Sequence, residues 1–178
     1  GLRAGNAADP ARLAEVAQSL GDLAAYPALR PLERLFTHSD PRVRRGVMSA
    51  VRSLYFKRSY GLLARGLRDP DEEVRRGALE ALEGLHFPAA FDPLSRIFRE
   101  FSDPAIKQAA LVSIGRLGSL DAGELLIEVL RHESRFLRDV ARRLLTNFGN
   151  PDLAPLIRRH YEVESGPARA ELEQLLRR

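Results

Sequence analysis

The chain has 178 residues, 44% of them hydrophobic and 29% charged, with a formal net charge of +4 and no cysteine. This composition is typical of a folded protein, and the lack of cysteine excludes disulfides, thiolate metal sites and cysteine nucleophiles. No stretch approaches the roughly 18 uninterrupted apolar residues of a membrane span, so we expect no span. The lack of cysteine is compatible with a reducing cytoplasm, and we expect a cytoplasmic location.

Helical periodicity runs through the chain and predicts about eleven helices and no strand. An opening helix is expected near residues 10–20 and a second near 22–36. Nine more are expected near residues 42–54, 58–68, 73–85, 88–101, 104–117, 121–131, 135–148, 151–163 and 167–177. Gly21, Gly118 and Gly149 follow predicted helices, where a left-handed cap prefers glycine.

A turn-and-anchor pattern occurs four times. The apolar anchors Val43, Val74, Ile106 and Leu137 are 31, 32 and 31 residues apart. A turn acid precedes each anchor, and a basic residue and a stripe of small residues follow it, more loosely in the fourth copy. Asp40, Asp69 and Asp103 are expected to cap the anchor helices, each with a proline after it. A period of this length indicates a stack of similar helix pairs.

The turn acid, the anchor, its basic neighbour and the small-residue stripe resemble HEAT repeats, in the short bacterial form also seen in phycobilin-lyase-type proteins. The resemblance covers residues 9–177 and implies an all-α, right-handed α-solenoid of about five helix pairs. Residues 1–8 are expected to be a linker or tag remnant, and residues 9–178 a single repeat domain of a longer protein. Its concave face is expected on the helices near 42–54, 73–85, 104–117 and 135–148.

The basic residue after each anchor forms a column of Arg44, Arg75, Lys107, Arg138 and Arg169. One interpretation is a stripe that binds phosphates. The resemblance implies the other, a structural ladder in which these residues bond to turn acids of neighbouring repeats. Its predicted members are Asp40, Arg44, Asp69, Arg75, Asp103, Lys107 and Arg138.

The next column varies, from Arg45 and Arg76 to Gln108, Asp139 and Ala170. Such a change is expected of a surface fitted to one partner, and also of neutral drift. Residues 41–68 contain eight basic residues and no acid, which favours a polyanion or an acidic protein surface as partner. Attraction between neighbouring repeats is an equal alternative for this charge zone.

Aromatic and basic side chains alternate inside this zone, at residues 54–60. Such a cluster can anchor a partner, or one ring can fill the space of a missing turn glycine. The predicted partner-binding residues are Arg45, Arg52, Tyr55, Phe56, Lys57, Arg58, Tyr60 and Arg76.

We therefore predict a non-catalytic scaffold or adaptor that binds a protein with an acidic patch. The alternatives are a nucleic-acid-binding HEAT-like domain and a lyase or DNA-glycosylase-like enzyme, since a minority of the family acts in these ways. The chain has no tryptophan for an aromatic base-excision cleft. Its four histidines have no metal-ligand spacing, so no cofactor, metal or catalytic residue is predicted.

Overall fold

The computed structural model describes residues 9–23, 26–53, 59–85, 87–132 and 134–177. In these ranges the chain forms eleven α-helices and no strand, with short 3-10 turns before the second and sixth helices. The helices are α1 (Pro10–Asp22), α2 (Leu29–Leu35), α3 (Pro41–Val51), α4 (Tyr60–Gly66), α5 (Glu72–Glu83), α6 (Phe91–Glu100), α7 (Pro104–Leu117), α8 (Leu120–His132), α9 (Arg135–Thr146), α10 (Leu153–Val163) and α11 (Pro167–Leu176).

The helices belong to two compact units, Gly1–Leu85 and His86–Arg178. In the first unit α3 packs between α1 and α5, and α2 and α4 lie against this row. In the second unit α9 contacts both α7 and α11, and α6, α8 and α10 form the other layer. Each unit is thus a two-layer stack of helix pairs, and the predicted all-α solenoid class is confirmed.

The four anchors are buried, as the repeat pattern predicts. Val43 and Val74 are 0% exposed, Leu137 3% and Ile106 8%. The small residues that follow them in the same helices, such as Ala78 and Ala141, are also fully buried. The apolar face of each anchor helix therefore supplies the core between neighbouring repeats.

The side chains that cap the anchor helices stand at the same position in each repeat. The Asp40 carboxylate accepts the Arg42 N–H at 2.8 Å, and Asp103 accepts the Ala105 N–H at 2.8 Å. The predicted cap at Asp69 is wrong, because α5 begins two residues later and Asp71 accepts the Val74 N–H at 3.1 Å. Asp71 stands three residues before its anchor, as Asp40 and Asp103 do, which is the spacing that the cap geometry requires.

Only one of the three predicted glycine caps has a left-handed backbone. Gly118 ends α7 with φ of 65°, the conformation that glycine adopts without strain. The predictions for Gly21 and Gly149 are wrong. Gly21 lies inside α1, and α9 ends at Thr146, before Gly149, with a different cap.

Gly21 has a packing role instead. A Cβ atom built on Gly21 would lie 2.6 Å from the Ala50 Cα of α3. No side chain fits at that distance, so the glycine allows α1 and α3 to approach closely. The second helix also begins later than predicted, at Leu29 rather than near residue 22, because α1 continues to Asp22.

Candidate partner-binding surface

The basic column after the anchors closes the turn of its own repeat. Arg44 Nη1 donates to the His38 and Ser39 carbonyls at 2.9 and 2.8 Å. Arg75 Nη1 donates in the same way to the Asp69 and Pro70 carbonyls at 2.7 and 2.8 Å.

Two later members of the column donate to carbonyl groups at the end of the preceding helix. Lys107 Nζ donates to the Phe98 carbonyl at 2.8 Å, and Arg169 Nη1 to the Glu164 carbonyl at 3.0 Å. These bonds satisfy carbonyl groups where the preceding helix ends. The column is therefore engaged inside the fold, which weighs against a phosphate-binding stripe.

Arg44 also forms the kind of bond that the predicted ladder requires. Its Nε and Nη2 donate to Asp69 Oδ2 and Oδ1 at 2.8 and 2.9 Å, and both side chains are largely buried. Burial opposes ionisation of Asp69, but hydrogen bonds from Arg44 and from the Asp71 N–H outweigh it and lower the pKa of the Asp69 carboxyl. The pair ties α3 to the turn before α5.

Other predicted ladder acids are bound differently. The hydrogen bond from the Arg42 side chain lowers the pKa of Asp40 to about 2, and the Asp103 carboxylate caps α7. Arg138, on α9, is half-buried. A ladder that continues beyond Arg44 and Asp69 stays a prediction.

Two predicted partner-binding arginines converge on one carboxylate. Arg45 Nη1 of α3 lies 2.9 Å from Glu73 Oε2 of α5, and Arg76 Nη2 donates to the same oxygen. All three side chains are about half exposed, at 53%, 43% and 56% for Arg45, Glu73 and Arg76. The surface therefore already holds a carboxylate between two guanidinium groups.

Arg45 belongs to a row of arginines along α3. Arg42, Arg45 and Arg52 are all exposed, and their spacing of three and seven residues places them on one helical face with Ser49 between them. We call this row the α3 arginine stripe. Arg52 stands at the end of α3, where its Cγ would lie 3.4 Å from a Cβ built on Gly84, so the stripe borders both ends of α5.

The structure divides the basic zone of residues 41–68 among several helices. Arg65 stacks over the Phe36 ring at 4.8 Å, and Arg68 donates to the Ala64 carbonyl at 3.4 Å, so both belong to the α4 region. The predicted residues Tyr55, Phe56, Lys57 and Arg58 lie outside the described residues. Tyr60 is the half-buried first residue of α4.

Sequence reasoning missed Glu73 as the partner of both arginines. Glu73 lies in the first turn of α5, where the helix dipole favours a negative charge whether or not the carboxylate has a partner. The pairing depends on how α3 and α5 are shifted along each other when they pack. The sequence alone does not reveal that shift. Glu73 directly precedes the anchor Val74. This fixed position in the repeat was the only sequence signal for its pairing.

Sequence reasoning also missed a chain of polar side chains between α8 and α10. Glu124 Oε2 lies 2.6 Å from His160 Nε2, and His160 Nδ1 lies 2.7 Å from Arg131 Nη2, so the arginine donates and the imidazole proton lies on Nε2. Arg131 also donates to Glu164, and this bond lowers the pKa of that carboxyl. Since every member has a partner, the chain is a structural link between the two helices.

The described part of the chain contains no group of three or more histidine, aspartate or glutamate side chains placed to hold a metal ion. None of its helices has the length and apolar character needed to cross a membrane.

Stacked helix pairs with buried anchors and capped turns define an α-solenoid repeat protein. A family model of HEAT repeats matches residues 2–83 and 60–146. The chain belongs to the HEAT-repeat family, and the resemblance read from its turns and anchors is confirmed. No curated protein matches the chain.

Solved structures with similar helix arrangements include a designed armadillo repeat protein in complex with the peptide (KR)4. That chain is 16% identical, with 94% of this chain and 90% of that one covered and a TM-score of 0.47. The complex of CpcE and CpcF of phycocyanin lyase from Nostoc sp. PCC7120 is 19% identical, with 92% and 72% covered and a TM-score of 0.40. At these identities and scores, neither structure indicates what this chain binds.

Proposed function

We propose that the chain is a non-catalytic protein-interaction scaffold that binds an acidic surface of a partner protein through the α3 arginine stripe and Arg76. The observation that carries the proposal is the convergence of Arg45 and Arg76 on the Glu73 carboxylate. A partner carboxylate would find the same two guanidinium groups already placed, with most of their five N–H donors each still available.

Rigid placement favours binding at this surface. Arg45 and Arg76 stand on helices whose buried faces pack on each other, so little backbone ordering accompanies binding. The proposal keeps the partner-binding residues predicted from the sequence after α3, with Tyr55, Phe56 and Tyr60 as aromatic contacts and Lys57 and Arg58 as cations.

Acidic residues beside the stripe favour a protein partner over nucleic acid. Glu72, Glu80 and Glu83 are exposed on α5, next to α3. A continuous phosphate backbone laid along the stripe would meet these carboxylates, and the repulsion would weaken binding. A folded protein can present carboxylates to the stripe and other groups to α5, as complementary interfaces do.

The test measures fluorescence anisotropy of a labelled octaglutamate peptide with the wild-type chain and with the double variant Arg45→Glu/Arg52→Glu. The matched control is Arg30→Glu/Arg158→Glu, which changes net charge equally at two exposed arginines on α2 and α10. We expect the stripe variant to bind about tenfold more weakly and the control to bind within about twofold of wild type. Equal losses in the two variants would show that only net charge matters and would reject the surface.

Duplex DNA of about 20 base pairs tests the alternative function in the same assay. Binding at low ionic strength that falls linearly in log salt, and that exceeds octaglutamate binding, would replace the protein-partner proposal with a nucleic-acid one. No binding of the duplex at low salt excludes the nucleic-acid alternative.

A further inference from the structure

An open apolar groove lies between α1 and α2, and none of its lining residues belongs to the α3 arginine stripe. Its floor is formed by Val16 and Leu20 of α1 and by Pro31 and Leu35 of α2. The groove has a volume of about 610 Å³, within the range of sites that enclose a large side chain or a small ligand.

The groove is open because α1 packs through its smallest residues. Ala17 and Gly21 are buried on the side that faces α3, and Ala14 lies against Gly46. Val16, which lines the groove, is left 48% exposed. It is among the few large apolar side chains that remain exposed in the described ranges, and an exposed apolar face on a folded protein often marks a contact surface.

The rim of the groove carries hydrogen-bond donors. The lining residues Arg34, Thr37, His38 and Ser39 include no acid. His38 Nδ1 accepts the Asp40 N–H at 3.0 Å, so its ring proton lies on Nε2. An apolar floor beneath a guanidinium group and an imidazole N–H fits an apolar side chain with a carboxylate beside it.

We infer that this groove binds a segment of a partner protein in which leucine-like side chains stand next to carboxylates. The apolar side chain covers Val16, Leu20 and Leu35, and the carboxylate accepts from Arg34 and from His38 Nε2. This contact goes beyond the proposed function, because it uses a different surface of the first unit and depends on apolar burial as well as on charge.

The probe is a hexapeptide of two leucines flanked on each side by two glutamates, titrated into the isotopically labelled chain and followed by NMR. We expect the largest shift changes at the methyl groups of Val16, Leu20 and Leu35. Peptides with lysine in place of glutamate, or alanine in place of leucine, should bind at least about fivefold more weakly, since each lacks one half of the fit. Equal binding of all three peptides would reject the groove as a selective site.

Two variants with matched controls test the named contacts. Val16→Glu should weaken binding about tenfold, whereas Val163→Glu, at an exposed valine of α10, should leave it unchanged. Arg34→Gln should weaken binding several-fold, and Arg30→Gln, on the same helix outside the groove, should not.

Loss of binding in Arg45→Glu/Arg52→Glu with retention in Val16→Glu would assign the peptide to the stripe and overturn the inference. Groove shifts that depend on protein concentration without peptide would identify a second copy as the occupant and overturn it equally.

Discussion

The Arg44 guanidinium binds the Asp69 carboxylate through two parallel hydrogen bonds of 2.8 and 2.9 Å, across 25 residues of sequence. The same arginine holds two carbonyl groups of its own turn, and Asp69 also accepts the Asp71 N–H at 3.0 Å. One buried ion pair therefore joins a turn, an anchor helix and the next turn.

Asp69→Asn should lower the free energy of unfolding by about 3 kcal/mol, because it leaves the buried Arg44 charge without its counter-ion. The measurement is urea denaturation followed by circular dichroism. Asp40→Asn is the control, because it breaks an exposed pair with Arg42 and asparagine still caps a helix. Equal loss of stability in both variants would show that the buried pair has no special role.

The contribution of Asp69 to the free energy of unfolding should also depend on pH. The pKa of Asp69 is lower in the folded chain than the value of about 3.9 expected in the unfolded chain. Its stabilisation is therefore present above about pH 4 and is lost as pH falls through the folded pKa. The difference in unfolding free energy between wild type and Asp69→Asn should shrink between about pH 5 and about pH 2.5. A constant difference over this range would contradict the assignment.

Gly21→Ala should destabilise the chain by about 2 kcal/mol, because the new Cβ would press on the Ala50 backbone and force α1 from α3. Gly61→Ala is the matched control. Gly61 lies in α4, and a Cβ atom added there would have no atom within 4 Å, so alanine should raise stability by about 0.5 kcal/mol. Thermal unfolding measures the change in stability of both variants relative to wild type. If Gly21→Ala stabilised the chain, the close approach of α1 and α3 at Gly21 would be refuted.

Repeat spacing was sufficient to predict the helices, their buried anchors and the family. The role of Gly21 could not be predicted in this way. In a sequence, a glycine that ends a helix cannot be told from a glycine that lets another helix pack closely against it. The cap at Asp71 could have been predicted, since Asp40 and Asp103 stand at the same distance from their anchors. Asp69 drew attention only because Asp-Pro is the more familiar helix start.

The sequence was sufficient to predict which residues form the candidate surface, but not which contacts they make. Arg45, Arg52 and Arg76 were selected from charge and column variation, and the structure places Arg45 and Arg52 on one face of α3. The contact of Arg45 with Glu73 depends on how α3 and α5 pack, which is a tertiary property. The groove beside Val16 was missed because Val16 and Leu20 have the spacing of ordinary core residues.

Glu73→Gln should strengthen binding of octaglutamate by about threefold to tenfold. The change removes the internal carboxylate that competes for Arg45 and Arg76. Glu80→Gln is the control, because it removes one exposed negative charge from the same helix. The measurement is fluorescence anisotropy at fixed ionic strength. An equal gain in both variants would mean that Glu73 acts only through net charge.

NMR mapping of bound octaglutamate shows whether the α3 arginine stripe and Arg76 form the partner-binding surface. We expect the largest amide and side-chain shifts at Arg45, Ser49, Arg52 and Arg76, and their loss in Arg45→Glu/Arg52→Glu. Largest shifts on α8 or α10, or an unchanged map in the double variant, would contradict it.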